Sequence, residues 1–211
     1  MNTTRRAAAV AVCLIVAATP AASGSPAVPP AQVPWPPPST HGRFLPYPEN
    51  VNLLGSYPSC GAHIDVSPGD VFDLQYRALV TDRGETVVEY RGDLTLDVRR
   101  LPDGADLDEV GVSASRIEVY DSSGTTVTYA RTGPAIVAAS NEVEAQAFAD
   151  AGLPEAFLFL SGDLMETVTY ETAPTELGQD VPPMLSAEIT EDSTAYVFDL
   201  CDLLDQAPKD P

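Results

Sequence analysis

The chain predicts an all-β fold: an antiparallel β-sandwich or partly open β-barrel of about nine strands, with one short helix. Three observations carry this. Apolar and polar residues alternate at a period of two over several stretches, the signature of half-buried strands. Only one window, residues 141–151, combines a helix cap with helical apolar spacing. Two cysteines, Cys60 and Cys201, bracket the patterned region, so a bridge between them ties its N- and C-terminal ends together.

The elements follow in order. The domain begins near Val51 and runs to residue 206, leaving residues 207–211 as a tail. Residues 61–66 form a first strand, stopped by the turn signal Ser67-Pro68-Gly69-Asp70. Phe72, Leu74, Tyr76, Ala78 and Val80 alternate along the next strand. Thr81-Asp82-Arg83-Gly84 turns the chain, and residues 86–91 return as a hairpin partner. Leu94, Leu96 and Val98 alternate again, before an acidic loop at 101–111. Ile117 and Val119 lead into Asp121-Ser122-Ser123-Gly124, and Val127 and Tyr129 return from it. After Gly133-Pro134 and a strand at 135–139, Asn141 caps a helix with Glu144 three positions on. Its apolar stripe is Val143, Ala147 and Phe148. Residues 156–160 read as a buried strand, Ser161-Gly162-Asp163 as its turn, and 164–172 as the returning strand. A loop at 173–183 and a last hairpin, 185–190 with 194–198, lead to a closing helical turn. There Leu200 and Leu203 face inward while Cys201 reaches Cys60.

Ahead of the domain lie two segments of different kind. Residues 1–23 have a basic start at Arg5 and Arg6, a short apolar stretch and small residues around Ala21-Ala22-Ser23. That is the pattern of a secretory signal peptide, with an apolar stretch too short for a membrane span. Residues 24–50 are a proline-rich leader, since residues 20–48 hold ten of the twenty prolines, and are expected to be extended or irregular. The only tryptophan, Trp35, sits there, either lying on the domain surface or serving as a partner contact. With the signal removed, no integral membrane segment is expected, and the location is extracellular or cell-wall associated.

Removing residues 1–23 leaves 31 acidic side chains against nine basic ones. Such a polyanion gains nothing from counterion release on DNA or RNA, so nucleic acid is excluded as a partner. The mature chain retains Cys60 and Cys201 alone, without CxxC spacing. Export favours their oxidation, and a bridge closing so long a loop adds up to about 5 kcal/mol in the chain-entropy account.

Catalytic motifs are scarce. His41 and His63 are the only histidines, too few for a histidine-based zinc site. Calcium is the fairer candidate, with Asp103, Asp106, Asp108 and Glu109 as oxygen donors, although the calcium-loop order is missing. The sequence has no GxSxG elbow; a hydrolase would rely on an acid pair or on His63, with Asp65 on the same strand face. Arg91-Gly92-Asp93 spells an adhesion tripeptide, a possible partner contact if a loop tip carried it. No phosphate-cradling loop or dinucleotide fingerprint occurs, and no cofactor is expected. The reading favours a non-catalytic extracellular binding or structural module for a protein or cell-wall component. A calcium-stabilised module or a hydrolase are the alternatives.

One constellation reaches beyond these motifs. It comprises Pro58-Ser59-Cys60-Gly61, Gly92 to Leu96, Asp121 to Gly124, Thr132-Gly133-Pro134, Gly152-Leu153-Pro154 and the closing stretch from Val197 to Leu204. In it the chain resembles a class of uncharacterised, β-rich proteins exported by actinobacteria, which have an opening Cys-Gly and a closing Asp-Leu-Cys. The resemblance spans roughly residues 55–206. It implies a secreted β domain stapled from start to end, and no particular reaction.

Overall fold

A computed structural model describes residues 34–47, 55–101, 103–175 and 182–209. The expected signal peptide, residues 1–23, lies outside them. Two short strands, β1 (Leu45–Pro46) and β2 (Ser56–Tyr57), precede six long ones, each bent in the middle. The first long strand is β3 (His63–Phe72) running into β4 (Gln75–Val80), and the second is β5 (Thr86–Arg91) running into β6 (Asp93–Leu101). Next come β7 (Asp106–Ser113) with β8 (Arg116–Tyr120), and β9 (Thr126–Thr132) with β10 (Ala135–Ala138). Helix α1 (Glu142–Asp150) leads to β11 (Ala156–Ser161) with β12 (Asp163–Tyr170), then β13 (Met184–Asp192) with β14 (Ala195–Asp199) and α2 (Leu200–Gln206).

The bends divide one antiparallel meander into layers. One half of every long strand joins a seven-stranded sheet, ordered β1-β4-β5-β8-β9-β12-β13. The other halves separate into a four-stranded sheet, β2-β3-β6-β7, and a three-stranded sheet, β10-β11-β14. Every pairing is antiparallel and no sheet closes on itself, so the fold is an open sandwich and not a barrel.

Glycine permits the two tightest bends. A Cβ on Gly92 (φ 129°) would lie 1.6 Å from the Asp73 carbonyl oxygen, where β3 passes into β4. A Cβ on Gly162 (φ 91°) would lie 2.1 Å from the Ser193 oxygen, where β13 passes into β14. Each corner is stitched by backbone hydrogen bonds, Asp73 N–H to the Asp93 oxygen at 3.0 Å and Ser193 N–H to the Asp163 oxygen at 2.9 Å. The same tripeptide, Gly-Asp-Leu, makes both turns, at residues 92–94 and 162–164.

Three apolar clusters fill the layers. Ile64, Val98, Ala156, Leu200 and Leu204 pack between the two smaller sheets and α2. At the end of that cluster the Cys60–Cys201 disulfide is formed, with Cα atoms 5.1 Å apart, joining the start of β3 to α2. Phe148, Phe157, Phe159 and Leu164 bind α1 to the opposite face of the three-stranded sheet. Trp35 and Tyr47 lie with Ala78, Val88, Tyr90 and Val127 on the inner face of the seven-stranded sheet.

Several expectations change. Fourteen strands and two helices occur among the described residues, since β1, β2 and β7 form outside the segments that read as strands. Ser67 to Asp70 do not end the first strand: β3 continues through them as a bulge. The Asp70 and Val71 N–H groups donate to Glu109 Oε1 and Thr95 Oγ1, at 2.7 and 3.0 Å, so side chains of β7 and β6 replace the lost ladder bonds. Pro68 is tolerated because β2 pairs only with Ile64 and Asp65, leaving the outer edge of β3 unpaired there. Most of the expected acidic loop is strand β7, an edge position where outward acids cost little and discourage further pairing. Ser161-Gly162-Asp163 is a corner, not a hairpin turn, since β12 pairs with β9 and β13 and not with β11. Along α1, Glu144 is buried and Val143 exposed; Asn141 caps the helix, and Glu144 accepts bonds from Ser140 N and Oγ. Finally, residues 34–47 are packed onto the sheet, through β1 on β4 and through the Thr40–Ala78 backbone bond.

The corners generate a stability prediction. Gly92→Ala and Gly162→Ala should each cost at least about 2 kcal/mol, because backbone must move to admit the methyl group. Gly61→Ala, also at positive φ but with nothing within 4 Å of its Cβ, should cost about 1 kcal/mol. Urea unfolding of the three variants measures this, and equal losses would contradict the close-approach account.

Candidate functional site

Alternation along the strands places an unusual row of side chains on the inner face of the seven-stranded sheet. Arg116, Glu118 and Tyr120 come from β8, Tyr129 and Arg131 from β9, and Glu166 and Tyr170 from β12. The register aligns them across strands: Glu118 opposes Tyr129, which opposes Glu166, and Arg116 opposes Arg131. Two arginines face each other, with a glutamate beside each.

The contacts are specific. Glu118, 2% exposed, accepts from Arg116 Nη2 and from the Tyr120 hydroxyl, both at 2.6 Å. Trp35 Nε1 donates to that same Tyr120 hydroxyl. Glu166, fully buried, accepts from Arg131 Nη1 at 2.9 Å through Oε2, while its Oε1 has no partner. The Tyr129 and Tyr170 hydroxyls meet at 3.2 Å. The Arg116 guanidinium lies over the rings of Tyr129 and Tyr90, at 4.9 and 5.8 Å, and Arg131 lies over Tyr129 at 5.1 Å. Helix α1 contributes Glu144, whose carboxyl faces that of Glu166.

Burial dominates the electrostatics. It pushes the Glu166 carboxyl up to about 7, with Glu144 adding to the shift and Arg131 opposing it. The hydroxyls of Tyr90, Tyr120 and Tyr129 are likewise raised, by burial first and by nearby negative charge second. Ion pairs taken out of water contribute little net stability. A row of strongly perturbed groups is therefore the best candidate site on physical grounds. Access limits what it can do. Glu118, Glu144 and Glu166 are each no more than 6% exposed, and only Arg116 keeps a large share of its side chain, 40%, in solvent. Burial raises the Glu166 carboxyl toward neutral pH, and the carboxyls of the row are covered against a substrate.

The residues singled out by sequence lie elsewhere. Asp103 is held by Arg100, at 2.8 Å from Nη2, and by Lys209 at 2.9 Å. Asp106 and Asp108 follow it onto β7, where burial and the neighbouring Asp108 raise the Asp106 carboxyl. Glu109 (φ 53°) turns to accept the Asp70 N–H. These four do not converge on one point. Among the described residues the one close group of metal-ligating type is Cys60, Glu155 and Cys201, and its two sulfurs are bonded to each other. Glu155 Oε1 there accepts the Cys60 N–H at 2.6 Å. His63 is exposed at the start of β3, in register with Leu101. Arg91, Gly92 and Asp93 form the β5–β6 corner and not a loop tip. Arg91 binds Gln75 Oε1 and lies 3.8 Å over the Phe44 ring. Trp35, 9% exposed, is core.

Reading the sequence missed Arg116, Glu118, Glu144 and Glu166. In β8 the apolar residues are Ile117 and Val119, yet Ile117 is 41% exposed and Glu118 is buried. One signal was present: Arg116, Glu118 and Tyr120 share one parity, and Tyr120 is an inward-type residue.

The fold and the row define an open antiparallel β-sandwich with a charged inner face. The chain matches no protein-family model, no curated protein and no solved structure at a significant level.

The Glu166 carboxyl makes stability depend on pH. It titrates at its ordinary 4.5 when unfolded and near 7 when folded. Between those values the folded state binds more protons, so stability falls as pH rises through the window. The ion-paired Asp103, held below its usual range, acts only at more acidic pH. The protein should lose roughly 2 kcal/mol between about pH 5 and pH 7.5. Glu166→Gln should flatten that slope in thermal melts; an unchanged slope would assign the titration to another group.

Proposed function

We propose that this chain is an exported, non-catalytic binding module that meets an extracellular protein or wall component. The observation that carries the reading is a cluster of exposed apolar side chains along the β14 edge of the three-stranded sheet. Tyr196 is 72% exposed, Leu160 43%, Phe198 41% and Val197 36%. In register, Leu158 opposes Phe198 and Phe159 opposes Val197, so Leu160 and Phe198 share one face of the sheet and Val197 the other, and with Tyr196 they border the β14 edge. Clustered exposed apolar side chains on a rigid sheet mark interaction surfaces, whereas single ones are ordinary.

Other features support it. The covered carboxyls of the inner face suit an internal charge network better than turnover of a substrate. A single disulfide is at home in an oxidising compartment, in keeping with the signal-like start. No helix among the described residues is long and apolar enough to cross a membrane. Burial of Trp35 and the corner position of Arg91-Gly92-Asp93 favour the sheet end as the binding surface in this reading.

Binding of labelled protein to the cell exterior and to isolated wall material of the producing organism tests this. The native chain should bind saturably, and the Tyr196→Lys/Phe198→Lys double variant should bind at least tenfold less. Val80→Lys, at an equally exposed site (60%) far along the chain, should bind as the native protein does. Equal binding by native and double-variant proteins refutes the assignment.

A further inference from the structure

We infer that the free edge of β14 receives an extended, basic segment of a partner protein, which adds a fourth strand to the three-stranded sheet. The inference rests on the binding-module reading and states how the patch is used.

The edges of the sheets differ in protection. Strand edges invite pairing, and proteins blunt them with charge, proline, short length or bulges. In the seven-stranded sheet β1 carries Pro46, and β13 carries Glu188, Glu191 and Asp192 along with two register shifts. In the four-stranded sheet β2 has two residues, and β7 carries Asp106, Asp108 and Glu109. In the three-stranded sheet β10 has Ala135 and Val137 buried. β14 carries no proline or lysine, and its one charged residue, Asp199, stands at its end. It pairs only with β11, its first four residues are Ala195, Tyr196, Val197 and Phe198, and all four are exposed. Tyr196 also holds a left-handed backbone (φ 57°), a conformation uncommon for a bulky residue. An edge left open among guarded ones, with aromatic residues on it, is built to be covered.

Charge selects the occupant. Residues 184–206 carry six acidic side chains and no lysine or arginine. Pairing two copies edge to edge would set these acids against each other on chains already at net charge −20. A second copy is therefore disfavoured. An extended segment with apolar residues at alternate positions and basic residues flanking them fits both the Tyr196/Phe198 face and the acids at either end, Asp192 and Asp199.

End-capped synthetic peptides test this on the intact protein. The probe is Lys-Val-Thr-Val-Thr-Val-Lys, compared with a version N-methylated at alternate amides and one with Glu in place of both Lys. Fluorescence anisotropy should show binding of the first and at least tenfold weaker binding of the other two. Amide exchange within β14 should slow only with the first. Equal binding of the N-methylated peptide overturns strand addition while leaving the patch as a binding surface. No binding by any peptide up to about 1 mM also overturns it. Concentration-dependent dimerisation that Phe198→Lys abolishes, seen by sedimentation, would assign the edge to a second copy and overturn the basic partner. Phe198→Lys should melt as the native protein does; a variant that does not is replaced by Tyr196→Lys for the same comparison.

Discussion

The architecture depends on how closely two backbones can pass at a bend. Six strands long enough to run the length of the molecule must each leave one sheet and enter another. At Gly92 against Asp73, and at Gly162 against Ser193, the crossing chains touch where a Cβ would stand. Because the strands bend together, hydrogen bonding passes through the corners with little loss. The other halves can then part into two sheets that enclose Ile64, Val98 and Leu200. A flat meander would leave both faces wet. The corners turn a sheet into a body with an interior.

That interior has two chemistries. Between the small sheets and α2 it is apolar and sealed by the disulfide. On the inner face of the large sheet it is aromatic and ionic, with Tyr90 and Tyr129 packed against guanidinium groups. The aromatic rings let cations lie against apolar surface without a full loss of favourable electrostatics. The short segment from Trp35 to Tyr47 completes this face. Its indole bonds to Tyr120, which in turn bonds to Glu118, so a proline-rich stretch terminates a charged chain of contacts.

Local signals made much of the fold legible and little of the site. The turns at Thr81 to Gly84 and at Asp121 to Gly124, the Asn141 cap and the Cys60–Cys201 pair all depend on neighbours in sequence or on counting. Each is present in the structure. The bends were not legible, because Phe72, Leu74, Tyr76 and Ala78 keep the same alternation on both sides of the corner. The β7 acids read as a loop because composition does not distinguish a solvated loop from an edge strand. Residues 34–47 read as extended or irregular on their prolines, although single anchors, Trp35 and Tyr47, hold them on the sheet. The inner charges were hidden by parity. In a strand with apolar residues on one face and Arg-Glu-Tyr on the other, hydrophobicity chooses the wrong side.

The position of the disulfide bears on how the molecule survives a protease. Cys60 and Cys201 are 141 residues apart, so the bond makes nearly all the folded chain a covalent ring. One cut in any hairpin turn within it, such as Asp121 to Gly124, opens the ring without releasing a fragment, and the ladder can hold the severed ends in register. The segment carrying Trp35 and Tyr47 lies outside the ring. A cut between Tyr47 and Cys60 leaves it attached by noncovalent contacts alone, and its departure uncovers the aromatic and ionic face. The molecule is thus durable around its circumference and detachable at its cover.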